Sequence, residues 1–566
     1  MTLRKVKDIG NPIVYIFVTL LISCICYKFN DDYRRLAIFI VVFFFIMLFY
    51  YCGIHFSILM IIFFIIGVCI NSVYYYIPNE INGTVRIKQI NSYNIIASLN
   101  GKKVILNLED ENLKIAKRYI VKGKIKNNVD KQSGIVGEIE VEEYIPIEDD
   151  LLSKIFEVKI KVYELLKENL GERKSSLISS ISFGYKEYLD EEDENDMKNF
   201  GIIHSISVSG LHVAIVYAFL KKIVGSRIGL LGTILYVILT GNEYSSIRAF
   251  IMLAAIEGAE VFKRNNNSLS SISLSGIIVL IMTPYAAFQI SFHLSYLATI
   301  GIILFNKKLN EKLYKIPNNV RESLCITLSA QIFTTPYLMI IFKDFSLNFI
   351  LGNLFLAPFI NVIVISGNLL ILTYWCTPIF DFICYIMLKL VNIFDYAVNQ
   401  FENFTLPMFY GNEYIAFFYS ILLFSLYFFH KGYKKFMYLP IVSILIILVQ
   451  MYSPIPCIEY YREGAIVISN KGKNILITNK NPVDIQRLSK ISYATHLYRD
   501  IKQISIKNVC QIEANGPNYI LSVNNEKYFL KLSGNKYEDE DYDIINFKEG
   551  KITKLIIFDN KIYKVF

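Results

Sequence analysis

The chain has no C-x-x-C pair and no cluster of cysteine with histidine. Its nine cysteines are scattered, mostly within apolar runs. That pattern excludes a zinc site and a disulfide framework. Cys24 and Cys26 are too close for a relaxed bridge within a helix. A G-x-x-x-x-G-K-[ST] run is also missing, so the chain carries no Walker-type motor. Anything moved through it draws its energy from a gradient or a partner. Charge is sparse, with 19% charged residues and a net charge of +9. So modest an excess reads as lysine and arginine on one side of a membrane, not as a nucleic-acid footprint. No small-residue cleavage site follows the first apolar run. Met1 to Pro12, with Arg4, Lys5 and Lys7, therefore reads as the lead into a retained first helix.

Apolar residues are plentiful. The 566 residues are 54% hydrophobic, with 40 Tyr and 41 Phe, and the mean hydropathy is +0.41. The fold class read from this is a polytopic α-helical membrane protein of about thirteen spans. Three spans come first, over 1–76. Ten more fit within 201–452, several shorter than the ~20 residues a straight span needs. The 346–374 stretch contains Pro358 and reads as two half-helices. Between these sets, 77–150 is polar and breaks into short alternating runs such as GTVRIKQI and KKVILNL, predicting five or six strands in a small barrel or sandwich. Over 151–200 an amphipathic helix, with Leu151, Ile155, Val158, Val162 and Leu165 on one face, precedes the acidic run Asp190–Asp196. The 453–566 tail is β-rich, with hairpins turning at Asn470–Lys473 and Asn524–Asn525.

Lysine and arginine concentrate in the loops that a cytoplasmic amino terminus would place inside, whereas 400–413 has Glu402 and Glu413 and neither basic residue. Residues 28–35, with Lys28, Arg34 and Arg35, run against this. On balance the chain is a multi-pass protein of the plasma or inner membrane, with 77–150 and 453–566 outside the cytoplasm.

The oddest stretch is Gly201–Val216, GIIHSISVSGLHVAIV. His204, Ser207, Ser209, Gly210 and His212 have no use on a lipid-facing helix. Polar groups at membrane depth face a cavity or a bundle interior. A second polar cluster is Thr240–Leu253, where Ser245 and Arg248 enter an apolar helix. Arg248 either snorkels to the interface or faces a pore as a fixed cation suited to an anion. Glu257 and Glu260 are placed to pair with Arg264. Further breaks hold His293, then Gln331, then Asn353, the last in a middle expected to be unwound around Gly352 and Pro358.

Taken together, these residues resemble the ComEC family, membrane channels that pass single-stranded DNA into the cytoplasm during natural competence. Gly201–Val216 corresponds to its GlsHLLAISGLHVGLV-like segment. Gly241, Ser245, Arg248, Ala249 and Met252 correspond to its GxxxSxxRAxxM segment. Pro284 with Ser291–Ala298, then Ala330, Gln331, Thr334, Pro336 and Phe342, and finally Asn353 and Pro358, follow in family order across about 170–410. His293 stands where the family usually has Gln.

The resemblance implies that 77–150 is an external OB-like domain, here without cysteine, and that DNA enters there. Lys114, Lys117, Arg118, Lys122, Lys124 and Lys126 are its basic candidates, although 138–150 is acidic. It further implies that the tail is a shortened metallo-β-lactamase-like domain. The tail has one histidine, His496, and lacks the family's HxHxDH motif. No metal site, cofactor or nuclease activity is expected, since one histidine cannot hold two metals. The partners implied are single-stranded DNA, the lipid bilayer, a DNA receptor, a separate nuclease, and a cytoplasmic ATPase or proton gradient. Two other classes fit the bare physics: a secondary transporter of a small anionic solute, and a non-transporting membrane scaffold.

Overall fold

The computed structural model describes residues 10–78, 80–90, 94–108, 113–126, 128–263, 265, 267–461, 463–479, 484–506, 510–524, 526–532, 542–547, 552–559 and 561–565. Arg4, Lys5, Lys7, Arg264 and Asn525 lie outside them. The chain forms two compact units, one of Met1–Thr334 with Ser346–Pro407 and one of Thr335–Phe345 with Met408–Phe566.

The first unit opens with three apolar helices, α1 (Pro12–Asp32), α2 (Arg34–Cys52) and α3 (Ile54–Tyr75). Gly67 lets α3 approach α1, for a Cβ there would stand 2.0 Å from Ser23 Oγ. Five strands follow: β1 (Glu80–Ile90), β2 (Ile95–Leu99), β3 (Lys102–Asn107), β4 (Arg118–Lys126) and β5 (Ile135–Pro146). They close a barrel in the order β1-β2-β3-β5-β4, with β3 and β5 parallel. Alternation drives it: Val85, Ile87, Ala97, Val104, Val121 and Ile139 point inward and are buried. Lys88 is an extra residue in β1, between the pairs Ile87–Ala97 and Gln89–Ile96. Such a bulge re-aims a side chain.

Helix α4 (Leu151–Leu170) starts on an Asp150 cap that accepts from Ser153 N. Its inner face is rotated from the expected stripe. Of the expected stripe only Val162 is fully buried; Lys159, Tyr163 and Leu166 are buried beside it, whereas Leu151 is 77% exposed. The Ser153 hydroxyl donates to Ala116 O at 2.9 Å and fixes this rotation. After α5 (Glu172–Phe183), the acidic run begins α6 (Glu191–Asn199), capped by Asp190. Acidic residues suit a helix start, yet Asp193 is not solvated: it is 4% exposed and pairs with Arg173.

The core then holds α7 (Gly210–Val224), α8 (Ser226–Leu239), α9 (Tyr244–Val261), α10 (Ser268–Met282), α11 (Ile290–Lys312), α12 (Asn318–Ile341), α13 (Phe349–Thr373) and α14 (Thr377–Glu402). A buried cluster from Val162 and Ile181 to Ile363 and Val391 ties α4 and α5 to α13 and α14. Residue 203 does not begin a helix. Ile203–Ser205 is a single 3₁₀ turn, and α7 starts only at Gly210. Nor is α13 broken. Close to its start it widens into a π turn, Gly352–Leu356, which absorbs Pro358 without unwinding the helix.

Among the described residues nine helices are long and apolar enough to cross a membrane: α1–α3, α11–α14, Glu413–His430 (α15) and Lys434–Met451, whose α-helical part is Leu439–Met451 (α16). Two shorter apolar helices are α8 and α10.

The second unit contains α15, α16, the two-stranded pair β6 (Asp344–Phe345) and β7 (Phe409–Tyr410), and the β-rich tail. The tail has a six-stranded sheet, in the order His496–Arg499, Lys473–Thr478, Ala465–Asn470, Cys457–Tyr461, Lys554–Phe558 and Lys561–Val565. A five-stranded sheet runs from Gln503–Ile506 through Cys510–Asn515, Asn518–Val523 and Glu526–Lys531 to Asp543–Asn546. Ile468, Leu521, Leu530 and Leu555 form a shared core. The first hairpin turns on Lys471 and Gly472, both at positive φ (50° and 77°), between the paired Asn470 and Lys473. The second pairs Val523 with Glu526. Within this unit, Arg487 of the short helix Ile485–Ile491 donates to Asp344 (2.9 Å), Glu463 (2.9 Å) and Phe342 O (3.3 Å).

Candidate functional site

The irregular chain before α7 is fastened from α9. Ser245 Oγ donates to Val208 O at 2.8 Å and Ser246 Oγ to the same carbonyl at 3.3 Å. Ser209 caps α7, and its own N–H donates to His212 Nδ1 at 3.2 Å. His212 is therefore a buried capping group rather than a free pathway ligand. His204 differs. Its side chain is exposed, in the single 3₁₀ turn Ile203–Ser205 ahead of α7. Ser207, Ser209 and Gly210 are half-buried beside it in sequence.

Arg248 points across this place. It is 9% exposed, and its Nε donates to Ser295 Oγ of α11 at 2.8 Å. Nη1 meets Met252 Sδ at 3.5 Å. No carboxylate pairs with Arg248 among the described residues. A Cβ on Gly210 would stand 2.7 Å from Nη2, so glycine at the first position of α7 is what admits the guanidinium. The positive end of α7 and a buried cation thus converge without a counter-charge. Snorkelling is excluded for so buried an arginine. An arrangement of this kind suits an anion.

The remaining candidates make contacts of their own. His293 Nε2 is 2.8 Å from Ala287 O, which ties the start of α11 to the 3₁₀ turn Pro284–Phe288. Gln331 Oε1 accepts from Thr334 Oγ1 at 3.1 Å on α12. Asn353 Nδ2 donates to Phe349 O at 2.8 Å across the π turn, and Asn353 O accepts from Ser323 at 3.5 Å. Glu257 pairs with Lys221 of α7 at 2.6 Å, and Arg264, the expected partner, lies outside the described residues.

The barrel candidates are largely neutralised. Lys117 pairs with Asp149 and Glu157, Lys126 with Glu140, and Lys124 with Glu142 at 4.0 Å. Arg118 Nη2 donates to Glu148 O at 2.9 Å, and Lys114 N to the Tyr119 hydroxyl at 3.2 Å. Lys122 stands opposite Glu143 in the β4–β5 register. The acidic 138–150 segment is laid against these bases strand by strand. Sequence reasoning missed Lys159, 4% exposed on α4. Burial pushes its pKa down to about 8, against the opposing pull of Glu187 and Glu243. A lysine inside an apolar helical stripe was the only signal for it. Among the described residues no group of three or more His, Cys, Asp or Glu side chains is placed to hold a metal.

Nine long apolar helices among the described residues define a polytopic membrane protein. Residues 181–432, somewhat under half of the chain, match the model of the family described as Competence protein. The chain is also similar to ComE operon protein 3 of Bacillus subtilis (strain 168), 25% identical over 223 residues, which are 38% of this chain and 28% of that protein. An uncharacterized protein of Aquifex aeolicus (strain VF5) is 28% identical over 299 residues, 50% of this chain and 67% of its own length. The match thus spans less than a third of the Bacillus protein. No solved structure matches the chain.

Proposed function

We propose that this protein carries single-stranded DNA across the plasma or inner membrane into the cytoplasm during natural transformation. The observation that carries the reading is Arg248, a buried cation with no paired carboxylate among the described residues, set against Gly210 at the positive start of α7. One such cation among hydroxyls binds phosphate weakly, as passage requires. A dense row of lysines would stall the strand, because phosphate contacts dominate affinity. The competence-protein match over 181–432 supports the same reading.

In this account the five-stranded barrel is of OB type and receives the strand. Helices α7 to α10 cross or enter the bilayer with the nine long ones, bringing the total to thirteen. The amino terminus lies inside, and 77–150 and 453–566 lie outside. The tail is a metallo-β-lactamase-like remnant without activity, so purified protein given Mn²⁺ leaves DNA uncut. A DNA receptor, a separate nuclease, and an ATPase or proton gradient complete the system.

The test is uptake of labelled DNA into the cytoplasm of cells lacking this protein. Internalisation is expected to disappear and to return with the intact gene. Normal internalisation overturns the proposal and leaves transport of a small anion, for which one buried arginine also suffices.

A further inference from the structure

A cavity of about 190 Å³ lies between the start of α5, helix α6 and the carboxyl half of α14. Glu192, Asp193, Asp196 and Asp395 line it, against a single cation, Arg173. That cation is shared. Arg173 Nη2 donates to Asp193 Oδ1 at 2.6 Å, and Nη1 donates to Asp395 Oδ2 at 3.3 Å. The ion pairs of the cavity end there, for Glu192 and Asp196 have none among the described residues. Asp193 is 4% exposed, yet its Oδ2 has no hydrogen-bond partner among the described residues. A buried carboxylate oxygen in that condition is costly. Because Asp193 lines the cavity, the donor it lacks is one that the cavity admits. Much of the remaining lining is apolar: Phe200, Leu356, Phe394 and Val398 are buried there. Among the described residues no group of three acids is placed to hold a metal. A bare ion would leave the hydrocarbon unused, whereas a cation on an apolar stem meets both kinds of lining.

We propose that this cavity binds a primary alkylammonium group, with Asp193 Oδ2 as the main acceptor and Asp196 and Glu192 as further charge partners. An ammonium carries three donors and no acceptor, which suits a lining with carboxylate oxygens to spare. Its stem lies against Phe200, Leu356, Phe394 and Val398. Two sources share this chemistry: a free aliphatic amine, and a lysine side chain of a partner protein. Phe200 and Ile202, both in the lining, flank Gly201, so an occupant touches the chain that leads into α7. The site does not depend on the DNA-conduit reading.

The test is calorimetric titration of the full chain in phosphatidylcholine nanodiscs at low salt, with empty nanodiscs as the blank. The probes are methylammonium, butylammonium, Nα-acetyl-lysine amide and Mg²⁺. Butylammonium is expected to saturate one site and to bind at least roughly tenfold more tightly than methylammonium, because its added methylenes are buried. Asp193→Asn keeps an oxygen for Arg173 and is expected to weaken butylammonium binding roughly tenfold or more. Asp196→Asn breaks no recorded side-chain hydrogen bond, so it leaves the fold intact, and it is expected to weaken binding roughly threefold. Glu194→Gln removes the same charge from an exposed position of α6 outside the lining. It is expected to change binding less than about twofold. Binding of butylammonium without the lysine amide supports the site with a free amine as its source; binding of both supports it with a partner's lysine. No saturable binding by the unmodified chain overturns the proposal. So do equal affinities for methylammonium and butylammonium, unchanged binding by both aspartate variants, an equal loss from Glu194→Gln, or displacement of butylammonium by an equal concentration of Mg²⁺.

Discussion

Replacing Arg248 with methionine separates a pathway cation from a structural one. The guanidinium is 9% exposed, and its one recorded hydrogen bond to oxygen runs to Ser295. Losing a hydrogen bond from a charged donor costs about 1.5–3 kcal/mol. Against this, burial of a cation without a carboxylate costs several kcal/mol, and a similarly sized apolar side chain removes that penalty. The balance predicts a fold that is as stable or more stable, by up to about 2 kcal/mol. Transport should move the opposite way. A charge-assisted contact to a passing phosphate is worth about 1.5–3 kcal/mol, equivalent to roughly ten- to hundredfold in rate. The assay is transformation frequency together with the thermal unfolding midpoint of the purified variant in detergent. Arg248→Met is expected to show lost transformation with an equal or higher midpoint. Arg248→Lys, which keeps charge but not the fork, should fall between. A midpoint drop with aggregation, or unchanged transformation, refutes the reasoning.

Other outcomes follow from the same contacts. Gly352→Ala would place a Cβ 2.3 Å from Phe200 O, a backbone atom that cannot swing aside. It should cost about 1–3 kcal/mol, read as a lower unfolding midpoint. Arg487→Ala removes three contacts, one to Asp344, whose side chain is 4% exposed. Arg487 itself is partly exposed, so the loss is about 2 kcal/mol, less than for a fully buried pair; limited proteolysis should release the tail earlier.

The sequence was legible where one physical rule decided the outcome. Alternation over 77–150 predicted short strands because the barrel buries one face of each. The polar interruptions of Gly201–Val216 marked irregular backbone because lipid tolerates no such groups, and Arg248 was visible as a charge in an apolar run. What failed needed two segments at once. His212 looks like a pathway group until its ring is found capping α7 through Ser209 N. Pro358 predicts unwinding until a π turn absorbs it. The β4 lysines look free until β5 lays its glutamates beside them. Lys88 gained its position from a one-residue bulge that the alternating pattern does not announce.

The central claim, that a strand passes along the α7 and α9 starts, is tested most directly by photocrosslinking during uptake. Cells expressing the intact protein take up DNA carrying photoreactive bases and are irradiated mid-transfer, and the adducts are mapped by mass spectrometry. The account predicts adducts within 201–216 and 240–253, next to His204 and Arg248. Adducts confined to the barrel, or none on this protein while DNA still enters, would contradict it.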